Sequence, residues 1–299
     1  MRRKNMDNGK ISRRNLIRNT SFAAAGVFAG ALVKTANAAL ADKVERIVNK
    51  GRINQSVSRW CYSKWSLDEL CEVCKKIGLK AIDLLGPNDF PTLKKHGLVC
   101  SMVETHGLTK GLNRKENHAE CLAKIRSAID AAAEHGYPNV ISFPGNRAGM
   151  SDEEGIENSV SALKQIVSYA EQKKVTICLE YLNSKVDHKD YMFDNMKWGV
   201  EVCKRVGSDR VKILYDIYHA QIMEGDIIRT LRDNKDYIGH YHTGGNPGRN
   251  EIDETQELYY PAMMRAIIDT GFTGYVAHEF VPKGDPLAGL SNAVRICDV

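Results

Sequence analysis

Eight short apolar runs, at 53–59, 81–85, 99–104, 139–143, 175–181, 211–216, 238–242 and 275–280, recur along the sequence with helical patterns between them. This alternation constrains the fold more than any other feature. Strands joined through crossover helices lie parallel, and a parallel sheet is covered on both faces, so its strands read as continuously apolar. Helix ends support the reading: Ser66 and Glu69 have the spacing of a capping box, and Gly78, Gly97 and Gly136 follow basic or polar last turns as stops. The longest helical patterns cover 116–134 and 152–173. Eight strand–helix units predict one α/β domain, a (β/α)8 TIM barrel over residues 39–299. No glycine-rich nucleotide loop follows the first run, which removes the commonest reason to prefer an open doubly wound sheet.

The first 38 residues read differently. A basic region containing Ser12-Arg13-Arg14-Asn15-Leu16-Ile17 precedes an apolar run from Phe22 to Val33 and then Ala36-Asn37-Ala38. That order is the pattern of a twin-arginine export signal, cleaved after Ala38. The apolar run is too short to serve as a permanent membrane anchor. The expected partner is the twin-arginine (Tat) export machinery, and the expected location is periplasmic or secreted.

The net charge of +5 comes from this segment, which holds eight basic residues and one acid, Asp7. Taking the eight from the 42 basic residues and the one from the 37 acidic residues leaves 34 against 36. The body therefore carries no bias toward polyanions, and nucleic acid is not an expected partner. All eight cysteines, at 61, 71, 74, 100, 121, 178, 203 and 297, lie in the body, mostly within apolar patterns, where a free thiol packs as a small hydrophobe. Cys71 and Cys74 have a metal or redox spacing, but they fall inside a helical pattern with no second pair, so packing is expected.

In a barrel of this kind, function gathers where the strands exit at their C-terminal ends. The exits carry Trp60 and Lys64 after the first run, Glu104 and His106 after the third, and Asn146 and Arg147 after the fourth. Glu180 ends the fifth, Asp216 and His219 the sixth, His240 and His242 the seventh, and His278 and Glu279 the eighth. Charges at the end of a buried strand need a partner to offset desolvation. Glu180, Asp216, His242 and Glu279 arrive from four consecutive strands, and three carboxylates with one imidazole form an oxygen-rich ligand set. Such a set suits one divalent ion, Mn²⁺ or Mg²⁺ ahead of Co²⁺ or Zn²⁺. Without a cation the carboxylates would repel one another and raise each other's pKa.

His240 and His242 are two apart and share a strand face, so one is expected to orient the other. His278 faces away from Glu279 and is expected to be a hydrogen-bonded core residue. Arg249, in the glycine-bounded loop 244–249, is expected to clamp a substrate carboxylate or hydroxyl with its planar fork. His106 and Lys64 are further candidates for substrate contact, and Trp60 and Trp65 for the wall of a sugar-sized pocket.

Four blocks resemble hydroxypyruvate isomerases, within the wider xylose-isomerase-like superfamily of sugar isomerases and epimerases. They are Glu180-Tyr181-Leu182-Asn183, Asp216-Ile217-Tyr218-His219-Ala220-Gln221, Gly239-His240-Tyr241-His242 with Pro247-Gly248-Arg249, and Gly274-Tyr275-Val276-Ala277-His278-Glu279-Phe280. The resemblance implies that Glu180, Asp216, His242 and Glu279 hold one divalent metal. It also implies that Glu180 and Glu279 form the acid–base pair, and that His219 and Arg249 hold the substrate's oxygens. The chain departs from the hydroxypyruvate isomerase pattern at His242, where that family commonly has Gln and ketose epimerases have His.

The function expected is a metal-dependent isomerase working by enediolate proton transfer on a small hydroxy-carbonyl substrate. A periplasmic epimerase or lyase of keto-sugar derivatives would use the same groups, and a non-catalytic sugar-binding barrel would keep the metal only to grip hydroxyls. A homo-oligomer is compatible with each. Replacing Arg13 and Arg14 together with Lys is expected to block export, leaving the uncleaved precursor in the cytoplasmic fraction when cells are fractionated and immunoblotted.

Overall fold

All eight apolar runs become strands in the computed structural model, which describes residues 45–299. The expected signal at 1–38 lies outside the described residues. The strands are β1 (Asn54–Ser58), β2 (Ala81–Leu85), β3 (Val99–Val103), β4 (Asn139–Ser142), β5 (Thr176–Glu180), β6 (Val211–Asp216), β7 (Ile238–Thr243) and β8 (Tyr275–His278). They pair in sequence order, all parallel, and β8 closes on β1 to complete the barrel.

Nine α-helices among the described residues clothe it: α1 (Leu67–Ile77), α2 (Phe90–His96), α3 (His118–His135), α4 (Asp152–Lys173), α5 (Met196–Val206), α6 (Ile217–Met223), α7 (Ile227–Asp233), α8 (Tyr260–Asp269) and α9 (Pro286–Cys297). None of them is long and apolar enough to cross a membrane. The main core lies between strands and helices, where Ile129 of α3 and Leu163 of α4 are fully buried with Val140 and Ile177 of the sheet. Each such side chain contributes about 1.5–3 kcal/mol by leaving water.

The helix ends form as their sequence signals predict. Ser66 accepts from the Glu69 amide while the Glu69 carboxylate accepts from the Ser66 amide at 2.6 Å. Gly78, Gly97 and Gly136 all take left-handed C-cap conformations, which residues with a Cβ enter at a cost. All eight cysteines are free thiols, and seven are buried. Cys71 and Cys74 pack on the inner face of α1, and burial pushes the Cys71 thiol up to about 12, which leaves it a protonated apolar group.

Strand order alone does not hold the start of the described segment to the barrel. The Ile77 carbonyl, which accepts from the Ile47 and Val48 amides at 3.0 Å, shares that task with Asp298, whose carboxylate accepts from the backbone amides of Asn49 at 2.6 Å, Lys50 at 2.9 Å and Gly51 at 2.8 Å. Partial burial opposes its charge, but the three amide hydrogen bonds prevail and hold its pKa below the usual aspartate value. A group with a depressed folded pKa stabilises above its unfolded pKa, and that contribution vanishes as pH falls through the folded value. Asp298→Ala should lower unfolding stability by about 1 kcal/mol at neutral pH. In denaturant titrations this deficit should shrink once the pH drops below the ordinary carboxylate range.

Candidate active site

Parallel register brings the four expected ligands together. Asp216 lies directly across from His242, Glu180 pairs beside Leu214, and the Glu279 amide donates to the Thr243 carbonyl at 2.9 Å just beyond β8. His242 Nδ1 sits 2.8 Å from Glu279 Oε2, 3.5 Å from Glu180 Oε1 and 3.8 Å from Asp216 Oδ2. One ligand atom from each of Glu180, Asp216, His242 and Glu279 lies within 4.8 Å of the others, and all four residues are buried. Three convergent carboxylate oxygens and one imidazole nitrogen are a donor set that a divalent cation fits.

The electrostatics show why such a cluster calls for positive charge. Burial pushes Asp216 up to about 7, with repulsion from Glu279 and Glu180 adding to it and Arg249 and His242 opposing. Glu180 is likewise raised, by burial and by Glu279, against the hydrogen bond from His242. Glu279 goes the other way. Its burial is outweighed by the charges of His242 and Arg249, and Trp60 Nε1 also donates to it at 2.6 Å. His242 is raised well above the usual histidine value despite burial, because Glu279, Asp83 and Glu180 surround it.

Asp83, in the middle of β2, was not among the expected site residues. Its Oδ2 lies 2.5 Å from His240 Nε2 and 3.3 Å from His242 Nε2, and its Oδ1 accepts from Ser56 Oγ at 2.7 Å and from Ser101 Oγ. Burial disfavours its charge, but the two imidazoles outweigh that and hold it below the usual carboxylate range. With Nε2 directed at Asp83, His242 presents Nδ1 to the ligand cluster. The orienter of His242 is therefore Asp83, and His240 is a second group on the same carboxylate rather than the orienter itself. The signal was present: a lone carboxylate inside Ala81-Ile82-Asp83-Leu84-Leu85 must find partners when buried.

The junction after β6 has no loop. Asp216 ends the strand and also caps α6, its Oδ1 accepting from the His219 amide at 3.1 Å. That cap places His219 one turn on, fully buried, with its Nε2 3.7 Å from Asp216 Oδ2 and without a hydrogen-bond partner. Arg249 comes from the β7–α8 loop, where Gly245 exchanges backbone hydrogen bonds with Asn250 and Arg249 at 2.8 Å each. A Cβ on Gly245 would stand 2.1 Å from the Glu251 carbonyl, so only glycine permits this turn. Arg249 itself adopts a left-handed φ of 56°, a strained setting that the loop's hydrogen bonds maintain. Its Nη2 donates to Glu279 Oε2 at 2.5 Å and approaches Asp216 Oδ2 at 3.4 Å, and its guanidinium lies 5.2 Å from the Trp60 ring and 5.6 Å from that of Tyr218.

A cavity of about 560 Å³ opens above the cluster, bounded by Trp60, Phe143, Glu180, His188, Arg249 and Glu279 among others. His106 lines it too, but its ring nitrogens are engaged by the Gly107 carbonyl and Ser142 Oγ, so it offers a ring surface rather than a free hydrogen bond. Lys64 lines a neighbouring cavity of about 470 Å³, which shares Trp60 with the first. His278 is the core histidine expected, bonded to Thr243 Oγ1 and Gln55 Oε1. Arg147 turns away to pair with Asp152 and Asp194.

With fold and site in place, comparison with known proteins is decisive at residues 66–296, which match the model of the xylose isomerase-like TIM barrel family. The chain belongs to that family. It is 28% identical to the 2-oxo-tetronate isomerase of Haemophilus influenzae over 232 residues, covering 73% of this chain and 89% of that protein. It is 26% identical to the hydroxypyruvate isomerase of Escherichia coli over the same length and coverage. A human relative is matched over only 62% of its own length, under two thirds of it. Among solved structures, the E. coli 3-keto-D-glucoside 4-epimerase shares the fold at a TM-score of 0.69 with 19% identity, over 81% of this chain and 97% of that one.

Asp83→Ala would leave the hydroxyls of Ser56 and Ser101 and the two imidazoles without their common acceptor. A loss of about 3 kcal/mol in unfolding free energy is expected from such a buried network. Chemical denaturation of variant and parent measures it.

Proposed function

We propose that this enzyme is a divalent-metal-dependent isomerase that moves a proton between carbons of a small hydroxy-carbonyl substrate through an enediolate. The observation that carries the reading is a division within the cluster. Glu180 and Glu279 line the cavity, whereas Asp216 and His242 belong to the same cluster without lining it. That division supports a reading in which Asp216 and His242 hold the ion, while each glutamate both ligates and faces the substrate.

The ion, when bound, would supply the electrophile that stabilises negative charge growing on the substrate's oxygens. The side chains do the rest. One glutamate takes the proton from the hydroxyl-bearing carbon beside the carbonyl; a proton then either passes between the two enediolate oxygens while a glutamate protonates the former carbonyl carbon, or is returned by a glutamate to the opposite face of the original carbon. The first outcome is isomerisation and the second epimerisation. Arg249, gripped by Glu279 and flanked by Trp60 and Tyr218, can turn its remaining donors to a substrate carboxylate or hydroxyl. The isomerase names of the H. influenzae and E. coli relatives support this chemistry.

Cavity size favours a second, broader substrate reading. A cleft of about 560 Å³ that shares Trp60 with a second of about 470 Å³ leaves room for a substrate longer than a three-carbon keto acid. Keto-sugar derivatives fit better, and export would agree, because hydroxypyruvate is a cytosolic metabolite. The resemblance of fold to a 3-keto-D-glucoside epimerase is consistent with that size but carries no more than the fold.

Incubating Mg²⁺- or Mn²⁺-loaded protein in D₂O with hydroxypyruvate, 2-oxo-tetronate and a series of longer keto-sugars should put deuterium on carbon, as read by NMR. Glu180→Gln and Glu279→Gln should each slow exchange by about 10²–10⁴-fold. Sugar binding with no exchange from any substrate would replace the isomerase with a sugar-binding barrel. Highest kcat/KM on hydroxypyruvate would overturn the keto-sugar reading. Asp216→Ala should lose the ion in elemental analysis, and full retention would overturn the ligand assignment.

A further inference from the structure

We propose that Asn183 is a positioning residue that locks His219 in the tautomer carrying its proton on Nε2, making His219 a fixed hydrogen-bond donor to the substrate and not a base. This rests on the active site described above, but its geometric basis is separate from the metal cluster. Asn183 follows β5 by three residues and is fully buried.

The orientation of its amide is determined by groups that have no choice. The oxygen Oδ1 accepts from two backbone amides, those of Val186 at 3.0 Å and Asp187 at 2.9 Å. Backbone amides only donate, so the oxygen must face them. The nitrogen Nδ2 then has two partners, Asp187 Oδ2 at 2.7 Å and His219 Nδ1 at 2.6 Å. Turning the amide over would set its nitrogen against two donors and its oxygen against a carboxylate. Asp187 is held in turn by Tyr218, whose hydroxyl donates to the same Oδ2 at 2.8 Å.

His219 inherits the consequence. Because Nδ2 can only donate, Nδ1 must be an acceptor and carries no proton, so a neutral ring has its proton on Nε2. The imidazolium is blocked by the same contact, which would place two donors 2.6 Å apart. The resulting Nε2–H is buried and has no partner in the protein, with Asp216 Oδ2 at 3.7 Å beyond hydrogen-bond reach. A substrate oxygen seated beside Asp216 would complete it, as a preorganised donor aimed at developing negative charge. Proton abstraction is then left to Glu180 and Glu279, since His219 has no lone pair to offer at Nε2.

The test is ¹⁵N NMR of protein labelled at histidine and loaded with diamagnetic Mg²⁺, with the His219 signals assigned by their loss in His219→Gln. The parent should show Nε2 protonated and Nδ1 bare at neutral pH. A proton on Nδ1, alone or with one on Nε2, would overturn the proposal without any variant being needed. Asn183→Asp, made together with Asp187→Asn because the new carboxylate would otherwise lie 2.7 Å from that of Asp187, replaces the donor at Nδ1 with an acceptor and should move the proton to Nδ1. It should also slow deuterium exchange on carbon by about 10²-fold, the effect of removing one preorganised donor. An unchanged tautomer in the folded double variant would overturn the role of Asn183. A switched tautomer with undiminished exchange would overturn the role of His219 as donor. Should no substrate be turned over at all, the parent and variant spectra still decide the Asn183 assignment, which separates its failure from that of the proposed isomerase.

Discussion

The interaction on which the rest depends is the mutual repulsion of three carboxylates buried at the exits of β5, β6 and β8. Desolvation and like charge both act against ionising Glu180 and Asp216, and in the described residues the compensating charge comes from His242 and Arg249. A closed parallel barrel makes the problem unavoidable, because register sets Asp216 beside His242 and brings Glu279 level with Thr243. Balancing that charge explains why Asp83 grips His242 from below, why Arg249 accepts a left-handed backbone, and why a divalent ion fits the centre.

Local backbone rules then convert the cluster into a site with distinct roles. Asp216 is at once the last residue of a strand and the cap of a helix. One carboxylate oxygen satisfies the first turn of α6, leaving the other directed to the cluster, and the same turn carries His219 inward. Arg249 reaches the site from a loop that glycine alone can make, and it is pinned between Trp60 and Tyr218. Precision here comes from short connections and caps that fix rotamers and hold the cluster to one geometry.

Much of this was legible in the residues. Apolar runs at regular spacing are the physical signature of strands buried on both faces, and every one of the eight formed. Glu180, Asp216, His242 and Glu279 stood out because each interrupts apolar sequence at a strand's exit. Asp83 was passed over for the opposite reason, since it lies in mid-strand with no polar neighbours in sequence, and its partners Ser56, Ser101 and His240 come from three other strands. Of the other exit residues, Lys64 lines a neighbouring cavity, and His106 lines the main one with both ring nitrogens bonded to the protein.

What the sequence determined by itself was periodicity, capping and the supply of ligand-type side chains, all of which depend on residues close in the chain. What only the tertiary structure decided was which of those side chains share a carboxylate, which line the cavity, and which way an amide faces. Asn183 shows the difference. Its place after β5 can be read from the chain, but the proton on His219 is decided by a hydrogen bond between residues 36 positions apart. Parallel pairing of β5 with β6 is what makes that bond, because it sets the exits of these two strands side by side.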